Sequence, residues 1–354
     1  MAQEMTLETN GRRILGTYQE RTASVATGDI DDDGDIDVLV ANGRHWPGQN
    51  RIFLNNGKGI FTVEMNLGAQ RETTYATELG DFDNDGDLDI AVGNDMAPNA
   101  LFRNDGNGNF SHYSTFGKSY TPTRNLTLAD LNQDGFIDIL ITNRGRANEI
   151  CINDGNGNFM ETMNFGTSKD STIDVEVADM DGDQDLDLVL ANRDGQPNFI
   201  YLNDGKMGFE SKIPYGTGDD QTRSVGVGDI DQDGVLDIVS ANIGEPNRIH
   251  FGTTAGSYEE SVIFDLTESD SYALALADLD GDTDLDIIVA NSGSTNWVYF
   301  NNAKGKEWKA HQLNEETLHT YDIITADVNR DGFVDIVEAN SDGLNRYYIA
   351  RPKN

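Results

Sequence analysis

Asp29-Ile30-Asp31-Asp32-Asp33-Gly34-Asp35-Ile36-Asp37 carries carboxylates at loop positions 1, 3, 5 and 9 and glycine at position 6. It runs straight into the apolar stretch Val38-Leu39-Val40-Ala41-Asn42. Carboxylates this dense repel one another unless a cation sits among them, and a hard divalent ion that prefers oxygen ligands answers that need. The stretch recurs, with its first Asp at Asp29, Asp81, Asp130, Asp179, Asp229, Asp278 and Asp327, at steps of 49 to 52 residues. A fixed period of this length marks a repeat architecture, and it leaves room for four short strands per repeat.

Each copy reads the same way. A strand of small and β-branched residues, such as Ser24-Val25-Ala26-Thr27-Gly28, leads into the Asp loop. A second strand ends at Asn42, Asn94, Asn143, Asn192, Asn242, Asn291 or Asn340. A third opens on Asn, as in Asn50-Arg51-Ile52-Phe53-Leu54, and closes on a Gly/Asn turn such as Asn104-Asp105-Gly106-Asn107-Gly108-Asn109. Such residues suit turns that need positive φ. A fourth strand is expected to start on Phe61, Phe110, Phe159, Phe209, Tyr258 or Trp308. No segment of helical length shows helical apolar spacing. The residue before each first Asp is Gly or Ala, as inner strands converging on one axis require. The reading is an all-β, seven-bladed propeller with four antiparallel strands per blade, one domain over residues 1–354. The seventh repeat stops after its third strand, Asn345 to Ala350, while Met5-Thr6-Leu7-Glu8-Thr9 stands unused before the first repeat. The N-terminal strand is therefore expected to close the last blade.

Positions 1, 3, 5 and 9 give seven candidate metal-ligand sets. They are Asp29, Asp31, Asp33, Asp37; Asp81, Asp83, Asp85, Asp89; Asp130, Asn132, Asp134, Asp138; and Asp179, Asp181, Asp183, Asp187. The remaining three are Asp229, Asp231, Asp233, Asp237; Asp278, Asp280, Asp282, Asp286; and Asp327, Asn329, Asp331, Asp335. Up to seven Ca²⁺, one per blade, are expected, and position 7 would add a backbone carbonyl. Gln184 and Thr283 replace the position-6 glycine, with Gly182 and Gly281 two residues earlier. Neutral Asn132 and Asn329 are expected to weaken their sites. An EF-hand would need flanking helices and a bidentate Glu at position 12, where the first loop has Val40. Solvated acidic turns are the bland alternative, and seven copies in register argue against it.

Segments such as Val177-Ala178-Asp179-Met180-Asp181-Gly182-Asp183, and the Asn-Asp-Gly-Asn-Gly-Asn-Phe turn ending at Phe110, resemble FG-GAP/VCBS repeats. The resemblance implies the calcium-binding blades of integrin-α-like seven-bladed propellers and covers nearly the whole chain. It does not choose among adhesion heads, lectins and polysaccharide-degrading enzymes, because a fold does not dictate a function.

A net charge of −37 argues against nucleic acid and anionic membranes as partners. No apolar run is long enough for a membrane helix, and the first twenty residues carry no signal-peptide core. Calcium-dependent loops point to a secreted or periplasmic protein whose signal has been removed. The single Cys151, in the apolar run Glu149-Ile150-Cys151-Ile152, reads as a core thiol.

The Asp loops and Gly/Asn turns share one face, so the other face is the candidate for ligand binding. Eight of the 16 Arg fall in its expected loops: Arg21, Arg44, Arg71, Arg124, Arg144, Arg146, Arg193 and Arg223. Trp46, Tyr75, Tyr120, Tyr272 and Tyr321 stand among them. Guanidinium groups beside aromatic faces suit an acidic or polar glycan; pairing with Glu20, Glu72, Asp194 and Asp219 is the competing reading. His45 and His319 also lie there, whereas His112, His250 and His311 fall in strands. The main expectation is a calcium-stabilised extracellular propeller that binds such a glycan. One alternative is a polysaccharide lyase using His45 with a Tyr (Tyr75 or Tyr120) or His319 as acid and base. Another is an adhesion domain with a protein partner.

Overall fold

The computed structural model describes residues 3–302 and 304–353. They form an all-β chain of four-stranded antiparallel sheets in a propeller-like arrangement, with no helix. Thr172–Ala178, Asp187–Asn192, Gln196–Leu202 and Ser211–Asp220 make one complete unit in consecutive antiparallel order. Thr222–Gly228, Asp237–Asn242, Asn247–His250 and Ser261–Asp265 make the next. Elsewhere strands run on between positions. Asp89–Arg103 supplies both the second and third strands of its unit, and Ser111–Ala129 continues from one sheet into the next.

The first strands stand side by side around an axis. Ile14–Gly28 packs beside Thr74–Gly80, and each neighbour follows in turn through Ser111–Ala129, Thr172–Ala178, Thr222–Gly228, Ser271–Ala277 and Leu318–Ala326. The last of these packs against Ile14–Gly28 again. Met5–Glu8 pairs antiparallel with the C-terminal strand Asp335–Pro352, from Met5 opposite Pro352 to Glu8 opposite Ile349. Ile14 and Leu15 extend the pairing to Arg346 and Asn345.

There is no single core. Apolar side chains from the faces of neighbouring sheets interdigitate, as where Ile139, Ile141 and Cys151 of one sheet meet Ala91 and Leu101 of the sheet before. One such layer joins the last sheet to the first through Val337, Ala339, Val25 and Val40. Cys151 is fully buried, and burial pushes its thiol up to about 12, so it is a packing residue. His250 hydrogen-bonds Ser240 Oγ at 3.1 Å, and burial lowers it to about 4.

Two side-chain networks stitch the sheets. On the Asp-loop face the position-9 Asp is a clamp. Asp237 accepts from Ile230 N and Gly252 N, both at 2.9 Å, and Asp286 likewise accepts from Leu279 N and Asn301 N at 2.9 Å. On the opposite face runs a belt of Thr and Asn. Thr22 Oγ1 donates to Asn42 Oδ1, whose backbone N–H donates to Asn50 Oδ1, whose amide donates to Thr74 Oγ1 of the next sheet. The same pattern continues through the other repeats, with Ser271 once replacing Thr and with one reversal, where Thr123 Oγ1 donates to Asn99 Oδ1 at 3.3 Å, until Asn345 Nδ2 donates back to Thr22 Oγ1 at 3.1 Å. A buried amide without partners is costly, so the belt fixes the repeated Asn, of which, among the described residues, Asn99 alone leaves its Nδ2 without a partner.

Phe61, Phe110, Phe159, Phe209 and Tyr258 do not open fourth strands; those start one to three residues later, at Val63, Ser111, Glu161, Ser211 and Ser261. Several of these rings join the inter-sheet layers, Phe159 in edge contact with Phe82 at 5.8 Å. Only Trp308 begins its strand.

Candidate functional site

Two places concentrate polar chemistry. The first is the set of Asp loops, which are built alike. In every loop the position-1 carboxylate accepts from the position-6 backbone N–H at 2.8–3.0 Å. The position-5 carboxylate accepts from the N–H of position 7 at 2.8–3.1 Å. Gln184 (φ 77°) and Thr283 (φ 78°) take the left-handed conformation that Gly34 takes at 87°, so the loop shape survives loss of the glycine. A side chain there is strained, the β-branched Thr283 most.

Oxygen atoms converge in these loops. Asp29, Asp31 and Asp33 bring ligand atoms within 4.8 Å of one another, and so do Asp81, Asp83 and Asp85, and Asp278, Asp280 and Asp282. Position 9 joins the cluster in Asp179, Asp181, Asp187 and in Asp229, Asp231, Asp237. Buried oxygens without a hydrogen-bond partner fall at these positions: Oδ1 of Asp29, Asp31, Asp83 and Asp280, and Oδ2 of Asp89. Burial and neighbouring carboxylates raise Asp280 to about 6, and burial raises Asp37 to about 7. Unpartnered hard oxygens held close together are a donor set that fits a divalent cation. In two loops an amide occupies that space instead. Asn132 Nδ2 donates to Asp134 Oδ2 at 2.9 Å, and Asn329 Nδ2 to Asp335 Oδ2 at 3.2 Å.

The second place is the axis at the opposite face. Every inner strand carries a register shift near its start, between Thr22 and Ser24 in the first and between Thr320 and Asp322 in the last. The extra residue is Ala23, Tyr75, Arg124, Ile173, Arg223, Tyr272 or Tyr321. Bulges of this kind re-aim a side chain, and six of the seven (all but Ile173) line an axial cavity of about 460 Å³. Arg21, Arg124 and Arg223, with Tyr75, Tyr120, Tyr321 and His319, therefore sit on strands and not in the connecting loops expected of them, because the inner strands reach further toward this face.

The loop 43–50 reaches over the mouth. Arg44 donates to Tyr321 Oη at 2.6 Å and to Ser341 Oγ at 3.2 Å, with its guanidinium 4.0 Å from the Tyr321 ring centre. His45, at φ 64°, puts Nε2 2.6 Å from the Tyr75 hydroxyl and Nδ1 3.1 Å from Asp95 Oδ2. The tautomer that satisfies both contacts carries its proton on Nδ1. Asp95 Oδ1 also accepts from Arg124 Nη1 at 2.8 Å, and the Arg124 guanidinium lies 4.3 Å from the Tyr75 ring centre. Tyr272 and Tyr321 stack with centroids 4.6 Å apart, and Arg223 stands 5.6 Å from Tyr272. Burial raises the Tyr75 phenol, against the pull of Arg124, and raises Tyr321 to about 12, so both are protonated at neutral pH.

Below the mouth lie carboxylates that the sequence reading missed. Asp174 Oδ2 accepts from Val225 N at 3.1 Å and its Oδ1 from Asn125 Nδ2 at 2.6 Å; Asp322 Oδ2 accepts from Val25 N at 3.0 Å. Deeper still, Glu78 and Glu176 are enclosed by the ring of strands and face the cavity. Burial, reinforced by neighbouring carboxylates, raises each to about 8. These residues are legible in principle: they stand five or three residues before a loop's first Asp, where other repeats have the uncharged Ser, Ala, Asn, Thr, Gly or Ile.

The other predicted ligand residues scatter. Arg144 grips Asp194 at 2.7 Å, Arg71 pairs with Glu20 at 3.6 Å, and Arg21 with Asp342 at 3.6 Å beside Trp46. Arg146 and Arg193 make no ion pair among the described residues. His319 contacts Ser292 at 2.9 Å, and Tyr120 is exposed; neither lines the cavity.

The repeats match the model of the FG-GAP-like repeat at residues 29–92, 81–141, 130–190, 179–240, 233–289 and 278–338. The chain belongs to the FG-GAP repeat family. No curated protein matches the sequence of this FG-GAP chain. Among solved structures it is similar to the BBS1 N-terminal domain crystallised with ARL6, at 14% identity over 98% of this chain and 96% of that one, with TM-score 0.65. It is also similar to the WD40 domain of Toxoplasma gondii coronin, at 10% identity over 100% and 88%, with TM-score 0.67. At these identities the likeness is one of fold.

Proposed function

We propose that this FG-GAP protein is a single seven-bladed propeller, calcium-stabilised on one face, that binds an acidic glycan at the axial mouth of the other. The closed succession of inner strands and inter-sheet layers supports seven blades. Converging, unpartnered carboxylate oxygens support calcium, which Asp29, Asp31 and Asp33 and their counterparts would hold. The ion would neutralise carboxylates that otherwise repel, and loop-built sites of this type suit the calcium levels outside the cytoplasm, in a secreted or periplasmic setting. The observation that carries ligand binding is the tier of bulged residues. Arg124 and Arg223 stand among three tyrosines around a cavity of ligand size, with Arg44 leaning over it. Uronate-containing oligosaccharides are expected to bind by calorimetry. Binding should be lost in Arg44→Ala with Arg124→Ala and kept in Arg144→Ala, which lies outside the cavity; unchanged binding in the double variant would overturn the assignment.

The Asp95–His45–Tyr75 chain favours a second reading, a lyase for uronate glycans. His45, oriented by Asp95, would take the proton beside the carboxylate while Tyr75 gives its proton to the departing glycosidic oxygen. The arginines would balance the charge that develops. A rise in ultraviolet absorbance with uronate substrates, abolished in His45→Ala, would establish it. A protein partner is the third reading, supported by exposed Trp46, Met96 and Tyr120 on the same face.

A further inference from the structure

We infer that the axial pocket recognises the end of an acidic glycan chain, with the terminal carboxylate on Arg223, and does not take an internal residue. This rests on the glycan reading above. Three observations carry it. The pocket has walls on every side, because the inner strands that line it pack in unbroken succession. A cleft open at two ends lets a chain pass through sideways; a socket with continuous walls admits only what enters end-on.

The second observation is Arg223 itself. The other two guanidinium groups at the mouth are engaged: Arg44 with Tyr321 and Ser341, Arg124 with Asp95. Arg223 lines the pocket and, among the described residues, makes neither a hydrogen bond nor an ion pair. Its donors face the cavity in the fork geometry that matches a carboxylate. The third is depth. Beneath the arginine tier come Asp174 and Asp322, then Glu78 and Glu176. The cations that line the pocket, Arg124 and Arg223, both stand in this upper tier, so an anionic group is drawn there and finds no counter-charge below, and its carboxylate stops at Arg223 while the rest of the chain stays outside.

The test compares a short oligouronate with a long polyuronate of the same sugar, at equal numbers of chains, by calorimetry. One protein per chain for both, with similar Kd, is expected. Several proteins bound per long chain would overturn chain-end recognition while leaving glycan binding intact. Arg223→Gln, checked for folding by its melting curve, should weaken both probes by roughly tenfold or more, as loss of a charge-assisted contact implies. Equal affinity in a folded Arg223→Gln protein would remove Arg223 from the site. Absence of binding to either probe would overturn the glycan reading and this inference with it. Binding of a peptide through its C-terminal carboxylate, with no uronate binding, would do the same in favour of a protein partner.

Discussion

The two faces of the ring use their repeats in opposite ways. On the Asp-loop face the same side chains make the same contacts in each copy: position 1 to position 6, position 5 to position 7. At the axial mouth one structural position, the bulge, holds Ala23, Tyr75, Arg124, Ile173, Arg223, Tyr272 and Tyr321. Repetition serves the scaffold, because every sheet faces the same packing problem. Divergence suits the ligand proposed above, because an asymmetric molecule on the axis would meet each sheet differently. The Thr–Asn belt sharpens the contrast: it is repetitive although it lies at the mouth side, one residue from the bulge tier.

Chelation is the strongest way to break this comparison. An ion bound as proposed, at a hundredfold excess over its Kd, would stabilise each loop by about 2.7 kcal/mol, so removal from several loops should lower Tm far more than any mouth substitution. A chelator that leaves the melting curve unmoved would mean that the Asp face holds no stabilising ion. Next comes the clamp. Asp237→Ala strips partners from the buried N–H groups of Ile230 and Gly252 and should cost about 2–5 kcal/mol in urea unfolding. Arg223→Gln should cost much less, since its guanidinium makes no bond to the scaffold; equal losses would erase the distinction between the faces.

The mouth side has its own pH signature. Glu78 and Glu176 sit near 8 in the fold, above the ordinary glutamate value. The folded state therefore holds their protons more tightly than the unfolded chain, and stability falls as pH rises from about 4.5 through 8. Glu78→Gln should raise Tm at pH 9 and change it little at pH 5; the reverse pattern would show Glu78 ionised and paired. The smallest effect belongs to the loops without position-6 glycine. Gln184→Gly and Thr283→Gly relieve left-handed strain and should stabilise by about 1 kcal/mol each, Thr283 more. A loss in thermal scans would show these side chains making contacts that outweigh the strain.

The repeat, the strand order, the closing N-terminal strand and the Asp loops were legible because each is local or periodic. Seven Asp loops in register need no tertiary information. The Arg and Tyr set was partly legible: Arg44, His45, Tyr75, Arg124, Arg223 and Tyr321 do gather on one axis. Arg21, Arg71 and Arg144 instead satisfy nearby carboxylates, because exposed arginines in an acidic chain find partners within reach. The position-9 Asp read as a metal ligand; in the structure it is a clamp, with Asp237 Oδ2 accepting from Ile230 N and Oδ1 from Gly252 N, because its place at the start of the second strand sets it among buried backbone donors.

By itself the sequence determined the repeat and its chemistry: how many copies there are, where each turns, and which oxygens crowd together. Spacing along the chain carries that information, because strands and turns form from neighbours. Only the tertiary structure decided which of the unlike residues meet. Asp95, His45, Tyr75 and Arg124 come from successive repeats, and Arg44 and Tyr321 from the two ends of the chain. Closing the ring brings them within hydrogen-bond distance, and no periodicity in the chain records which distant residues a closed ring makes neighbours.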